Sequence, residues 1–470
     1  MLSRRAVLIS ALAAAARPAV GQTAPRSAET SAPVRVLRAQ SRTIEVNGKP
    51  ASVLGIGRPD GTSGITTAVG RQFRVRVENQ LDWPTLIHWH GLAPPWQQDG
   101  VPGVSGPAIP PGGSADYDFP LRYGGTFYMR SHEGLQEQLL MVAPLIIHDE
   151  RDRPGLQEVV MMLGDFSFTP PEQIFEDLQK RSAMPKMASM TGMAQSGASA
   201  ARDLNDVKYD AFLANYRTLA DPEVVKVEPG GKVLLRIINA SSMTNFHIEL
   251  GQLRGELVAV DGFRIVPHTG RRFPIADAQR LDIRLSLPRQ PAAYPILALV
   301  EGERRQTGIV LSAGSAEIAR VPEAAERPAP PLTLDLERQL RAADPLKARK
   351  PDRVYTLGLT GEMVGYIWSI NNIVWNKDVP PLPIAAGERV ELVMINRTGM
   401  SQPMHLHGHQ FQVVEIDGKR FPGALRDTVL VPPGRRVAVV FDTNNPGLWA
   451  FHCHLLYHLD AGMFRTFQYV

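Results

Sequence analysis

One stretch near the C-terminus concentrates the side chains best suited to holding a soft metal. Gly447 to Met463 reads Gly-Leu-Trp-Ala-Phe-His-Cys-His-Leu-Leu-Tyr-His-Leu-Asp-Ala-Gly-Met and contains the single cysteine of the chain. His452 and His454 flank Cys453, and His458 and Met463 follow. Alternate side chains of a strand face opposite ways, so Cys453 points away from His452 and His454, and one run can serve two metal sites back to back. A thiolate, an imidazole and a long axial thioether make a blue-copper electron-transfer centre. Cys453, His458 and Met463 supply that set. A solitary cysteine is ordinarily a small buried hydrophobe, and a solitary histidine a hydrogen-bonded core residue. Three histidines crowded around the only thiol argue for ligation instead.

The elements that must position these groups repeat along the chain. Ala68 to Asn79, Val227 to Asn239 and Ile384 to Asn396 each read as a glycine-containing turn followed by an alternating strand that ends in Asn. Asp-Gly, a strong turn signal, follows at Asp99-Gly100, Asp261-Gly262 and Asp417-Gly418. Three copies of one β unit predict three similar sandwich domains. With 40 Gly and 39 Pro breaking the apolar runs into short pieces, the composition points to the same all-β class. The expected domains are 33–150, 151–320 and 351–470, the last entered through a Pro-rich, then charged, linker at 321–350.

The outer two copies carry the histidines. Asn79 precedes His88-Trp-His90-Gly91 by the same interval that separates Asn396 from His405-Leu-His407-Gly408. Gly125-Thr-Phe-Tyr-Met-Arg-Ser-His132 likewise matches Gly447-Leu-Trp-Ala-Phe-His-Cys-His454. Residues two apart on a strand share a face, so His88/His90 and His405/His407 can clasp neighbouring metals across an interface between the outer domains. The middle copy lacks a His-X-His pair and reads as a spacer. His148, His247, His268 and His409 fall outside the pattern and read as structural.

Residues 1–24 combine Ser3-Arg4-Arg5, a short apolar run and small residues, the pattern of a twin-arginine export signal and so of a periplasmic product. The apolar run is too short for a permanent span, and no later segment is apolar enough to be one. The formal net charge of +4 falls close to neutral once the arginines of that signal are removed, and no basic-aromatic stripe supports a nucleic-acid partner. A lone cysteine excludes an intramolecular disulfide. Thr169 to Arg181 has helical spacing and a cap. It runs into the methionine-rich insert 184–193, with Met184, Met187, Met190 and Met193. Soft thioethers bind Cu(I), and a plain linker or a core-facing stripe accounts for them equally well.

The four histidine clusters in this order, closed by His-Cys-His with a later His and Met, resemble the multicopper oxidase family, which includes laccases and copper-efflux oxidases. The resemblance spans nearly the whole chain beyond residue 24. It implies three cupredoxin-like Greek-key β-sandwich domains, up to four copper ions, and a monomer. Electrons from a small-molecule (phenolic) or Cu(I) substrate would enter at a type 1 copper, and dioxygen would be reduced to water at a three-copper cluster. By motif position, Cys453, His458 and Met463 hold type 1, His88 and His405 type 2, His90 and His454 one type 3 copper, and His132, His407 and His452 the other. Cys453 with its neighbours His452 and His454 becomes the electron path between the centres. Asp99 resembles an acid that delivers protons to the cluster, although a turn-forming Asp before Gly100 is an equal account.

Two ligand positions depart from the family pattern. The second motif begins with Arg130 where a histidine belongs, and an arginine has no lone pair to give. The third begins with Gln402 in place of the second type 1 imidazole, and an amide oxygen is a weaker copper ligand. These changes predict a slow or partly metallated oxidase. They also motivate an alternative: a copper-binding or structural protein of the same fold without oxidase activity.

Overall fold

The computed structural model describes residues 33–150, 155–183 and 204–470; the expected export signal at 1–24 and the methionine-rich insert at 184–193 lie outside the described residues. Six sheets form, two from each of three successive stretches of chain. In each stretch the first sheet is built around the strand that ends in Asn. Gln72–Asn79, Lys232–Asn239 and Arg389–Asn396 each pair in parallel with the strand that opens the stretch and antiparallel with a later one. The second sheet of each stretch also repeats one device, a short strand parallel to the last: Ile65–Ala68 on Val142–His148, Val224–Val227 on Gln306–Ala313, Leu382–Ile384 on Phe464–Tyr469. The architecture is that of the cupredoxin-like sandwich, and the all-β expectation holds.

Alternation decides which face goes in. On Gln72–Asn79, Phe73, Val75 and Val77 are buried while Arg76 faces out and pairs with Asp116 across the strand. The terminal Asn has one job in all three copies. Its amide N–H donates to carbonyls of the following loop and its Oδ1 accepts a backbone N–H two residues on, as in Asn79 to Trp83 and Leu81, Asn239 to Thr244 and Ser241, and Asn396 to Met400 and Thr398. That loop leads directly into the strand bearing the histidines.

Of the Asp-Gly pairs, Asp261-Gly262 and Asp417-Gly418 are two-residue hairpin turns with both residues at positive φ. Asp99-Gly100 is not a hairpin: Asp99 closes the short helical turn Trp96–Gln98 and keeps φ −71. The expected helix is present as Pro171–Ala183, with Ile174 and Leu178 buried and Phe175 stacked on Tyr457. The 321–350 segment forms no strand; it is strapped onto the middle sheets through buried Leu332, Leu334 and Leu340. Among the described residues, no helix is long and apolar enough to cross a membrane.

Candidate metal centre

Register places the ligand candidates. Ile87–His90 pairs with Gly125–Ser131 so that His88 faces Arg130 and His90 faces Tyr128. In the same way Gln402–Leu406 pairs with Leu448–Cys453, setting His405 opposite His452 and Met404 opposite Cys453. His132 and His454 each sit just past the end of their strand. Gly91 and Gly408, which follow the two His-X-His pairs, turn the chain sharply at φ 91 and 67. A side chain at Gly408 would enter the Trp449 ring, at 2.3 Å.

The first and third sandwiches meet at these histidines. His90 stacks on His405 with ring centroids 3.9 Å apart, and His88 lies 4.0 Å from His407. His407 Nε2 is 2.9 Å and His132 Nε2 3.4 Å from His452 Nε2. Three imidazole nitrogens so close cannot satisfy one another with hydrogen bonds alone, and a cation between them can. Two groups of three imidazoles come within ligating reach, His88/His90/His405 and His132/His407/His452. Of the eight histidines predicted from the motifs, seven gather where the first and third sandwiches meet and His458 lies beside Cys453, and every one but His132 is almost fully buried.

The outward nitrogen of most rings is already committed, which leaves the inward lone pair free. His88 Nδ1 donates to the Asp99 carbonyl at 2.8 Å and His405 Nδ1 to the Asp427 carbonyl at 2.9 Å. The Nε2 atoms of both are buried without a partner, as is His90 Nδ1. His407 Nδ1 is held by the Asp99 carboxylate (2.8 Å), His454 Nδ1 by Asp277 (3.0 Å) and His452 Nδ1 by the Cys453 carbonyl (2.7 Å). Burial, reinforced by the positive charge of Arg130, holds His132, His452 and His454 well below the usual imidazole range; burial and neighbouring imidazoles do the same for His90, His405 and His407. Neutral imidazoles in this tautomer are what copper requires, so the residues fit the metal.

Cys453 faces the opposite way, into the third sandwich. Its Sγ lies 3.0 Å from Gln402 Oε1 and 4.0 Å from His458 Nδ1, and that nitrogen is 2.9 Å from Gln402 Oε1. His458 is not on the strand, which ends at Cys453, but on the short helix Leu456–Asp460, stacked 3.5 Å from Trp368. Asp206 accepts the His458 Nε2 hydrogen at 3.1 Å, which aims the Nδ1 lone pair at Cys453 and Gln402. Met463 is fully buried, and its backbone bonds both His458 and Cys453. Burial pushes the Cys453 thiol well up, so a metal is what would draw off its proton.

The middle sandwich is more than a spacer. It supplies Asp206 to His458 and Asp277 to His454. It also supplies Arg280, whose guanidinium pairs twice with Asp427 behind His90. None of these was legible from motifs, nor was Glu137, which accepts from Arg130 at 2.6 Å. An arginine on a buried strand was itself the signal, since such a charge demands a carboxylate nearby. Asp99 fits both accounts in part: it closes the turn before Gly100, and its carboxylate touches His407. A cavity of about 400 Å³ bounded by Val104, Trp375, Leu459 and Phe464 reaches His132 from the surface.

Sequence models of multicopper oxidase domains match residues 38–152, 157–313 and 348–470. The chain is 30% identical to the multicopper oxidase MmcO of Mycobacterium tuberculosis, over 97% of this chain and 89% of that protein. It is 27% identical to copper resistance protein A of Escherichia coli, over 84% and 86% respectively. The laccase of Botrytis aclada superimposes with a TM-score of 0.77 at 22% identity, covering 93% of this chain and 87% of the laccase.

Proposed function

Because the chain belongs to the multicopper oxidase family, of copper-dependent enzymes that couple substrate oxidation to dioxygen reduction, we propose how its own residues divide that work. Cys453, His458, Met463 and Gln402 hold the type 1 copper. His88 and His405 offer their unpartnered nitrogens to a second ion, and His132, His407 and His452 converge on a third. When bound, copper supplies one-electron steps at the Cys453 centre and the reduction of dioxygen to water at the cluster. The position between His90 and His454 does not fit the family pattern: Arg130 stands where its third imidazole would be.

The protein's residues orient, insulate and connect. Asp206 and Trp368 fix the His458 ring. Cys453 is bonded through the backbone to His452 and His454, so either path from one centre to the other crosses a single peptide unit. Asp99 fixes His407 through one carboxylate oxygen and holds the other, buried, 3.3 Å from His88 Nδ1, where it can pass protons. The cavity at His132 admits dioxygen.

The observation that carries this reading is the meeting of imidazoles more than three hundred residues apart in sequence, with their outer nitrogens tied back and their inner ones free. A copper-holding or structural role without oxidase activity is not favoured, since relatives matched over most of their length are named oxidases. We assign the substrate as Cu(I) or a phenol. The thioethers of Met184, Met187, Met190 and Met193, soft donors suited to Cu(I), support that substrate. Residues 1–24 support export to the periplasm. The test is oxygen uptake by copper-loaded protein with each reductant, beside the same protein carrying Cys453→Ser. Absence of copper uptake, or uptake of oxygen that survives the serine, would sink the reading.

A further inference from the structure

The geometry points to an oxygen-reducing cluster of two coppers with three imidazoles each, the place of the third ion being taken by Arg130 and Tyr128. The inference rests on the ligand assignment above and departs from the family's three-copper arrangement.

Arg130 lies directly across the strand pair from His88 and is 1% exposed. Its Nη2 lies 3.5 Å from His452 Nε2, and its Nη1 donates to Glu137 at 2.6 Å. The guanidinium offers a copper ion no lone pair at the position where the family pattern has a third imidazole beside His90 and His454. Tyr128, two residues earlier on the same face, closes the position from the other side: its hydroxyl is 3.1 Å from His454 Nε2. His454 therefore has Asp277 on one nitrogen and a phenol on the other. Among the described residues it joins no group of three donors within ligating reach of one another. His90 is different. Its Nδ1 is unpartnered, its ring is stacked on His405, and it completes a set with His88 and His405. The six imidazoles thus divide evenly into His88/His90/His405 and His132/His407/His452, and the buried Arg130–Glu137 pair stands where a further ion would bring its charge.

Copper per chain, measured by mass spectrometry of protein saturated with copper and freed of excess, should reach three: one at Cys453 and two in the cluster. Cys453→Ser should reach two. Reverting arginine alone would strand the Glu137 carboxyl, so the informative variant is Arg130→His with Glu137→Gln, which should gain one ion per chain. Anomalous diffraction at the copper edge from the unaltered protein should show two peaks among the histidines. A third peak there, or four ions per chain, overturns the inference while leaving the assignment of the centres intact. A folded double variant that gains no ion overturns the role given to Arg130. Failure to bind copper at all would sink both this inference and the reading beneath it.

Discussion

Asp206 gives the most direct test of how the middle sandwich serves the chemistry of the third. Its side chain is fully buried, accepts from His458 Nε2 at 3.1 Å and from the Tyr366 hydroxyl at 2.7 Å, and has no other hydrogen-bonded role at the site. Asp206→Ala leaves the imidazole free to rotate or change tautomer and strands the Tyr366 hydroxyl. Removal of the group that orients a ligating histidine typically weakens metal binding by about 10- to 100-fold, which corresponds to about 1.4 to 2.7 kcal/mol. Asp206→Asn keeps an acceptor oxygen in place and should lose only a small part of that. The assay is a competition titration of copper against a chelator, followed through the thiolate-to-copper absorption that only the Cys453 centre gives. Thermal unfolding of the metal-free variants distinguishes loss of fold from loss of orientation. Equal copper affinity in Asp206→Ala and the unaltered protein, or an asparagine variant as weak as the alanine, would refute the reasoning.

Cys453→Ser should abolish the blue absorption and oxygen uptake while leaving cluster copper in place, as read by copper per chain. Arg280→Met would leave Asp427 buried without its cation; breaking a buried pair of this kind costs about 3 to 5 kcal/mol, so the unfolding midpoint in denaturant should fall clearly, and an unchanged midpoint would contradict the geometry. Burial holds His247 below its ordinary pKa, while its Nε2 bonds the Pro330 carbonyl. The unfolded chain therefore takes up that proton first, so the neutral ring's contribution is present above about pH 6.5 and declines as the pH falls below it. His247→Gln should flatten that part of the stability profile of the metal-free protein, and an identical slope would show that His247 is not the group responsible.

The fold was legible because its signals are local and repeated. A strand that ends in Asn recurs because the Asn amide ties down the loop ahead of each ligand strand, and the alignment it provides placed Arg130 opposite His88 as His452 is opposite His405. The histidines could be read for the same reason, since their spacing belongs to strands. His458 was found by proximity to Cys453 and not by period, for the strand stops and a five-residue helix carries it. What could not be read were single polar residues whose meaning depends on distant chain. Asp206 lies 252 residues from His458, and Asp277 177 from His454. No periodicity marks such residues, because the partner that makes them necessary is set by how the sandwiches dock.

The two departures from the family pattern are built into their surroundings. Thr398 Oγ1 donates to Asn396 Oδ1 at 2.8 Å, so it must accept from Gln402 Nε2 at 3.0 Å. That bond decides which end of the Gln402 amide faces Cys453: the oxygen, the only end able to ligate, is turned to the thiol and to His458 Nδ1. The same Asn that fixes the loop in every copy thus also orients a ligand in the third. Arg130 is anchored in a comparable way, by a Glu137 that would be a costly buried carboxyl beside a histidine; burial raises its pKa to about 7 even with the guanidinium in contact. A histidine lost at random would leave its former neighbours shaped for an imidazole. Here Thr398 holds the Gln402 amide and Glu137 holds the Arg130 guanidinium, so each departure from the family pattern has a specific partner in the surrounding chain.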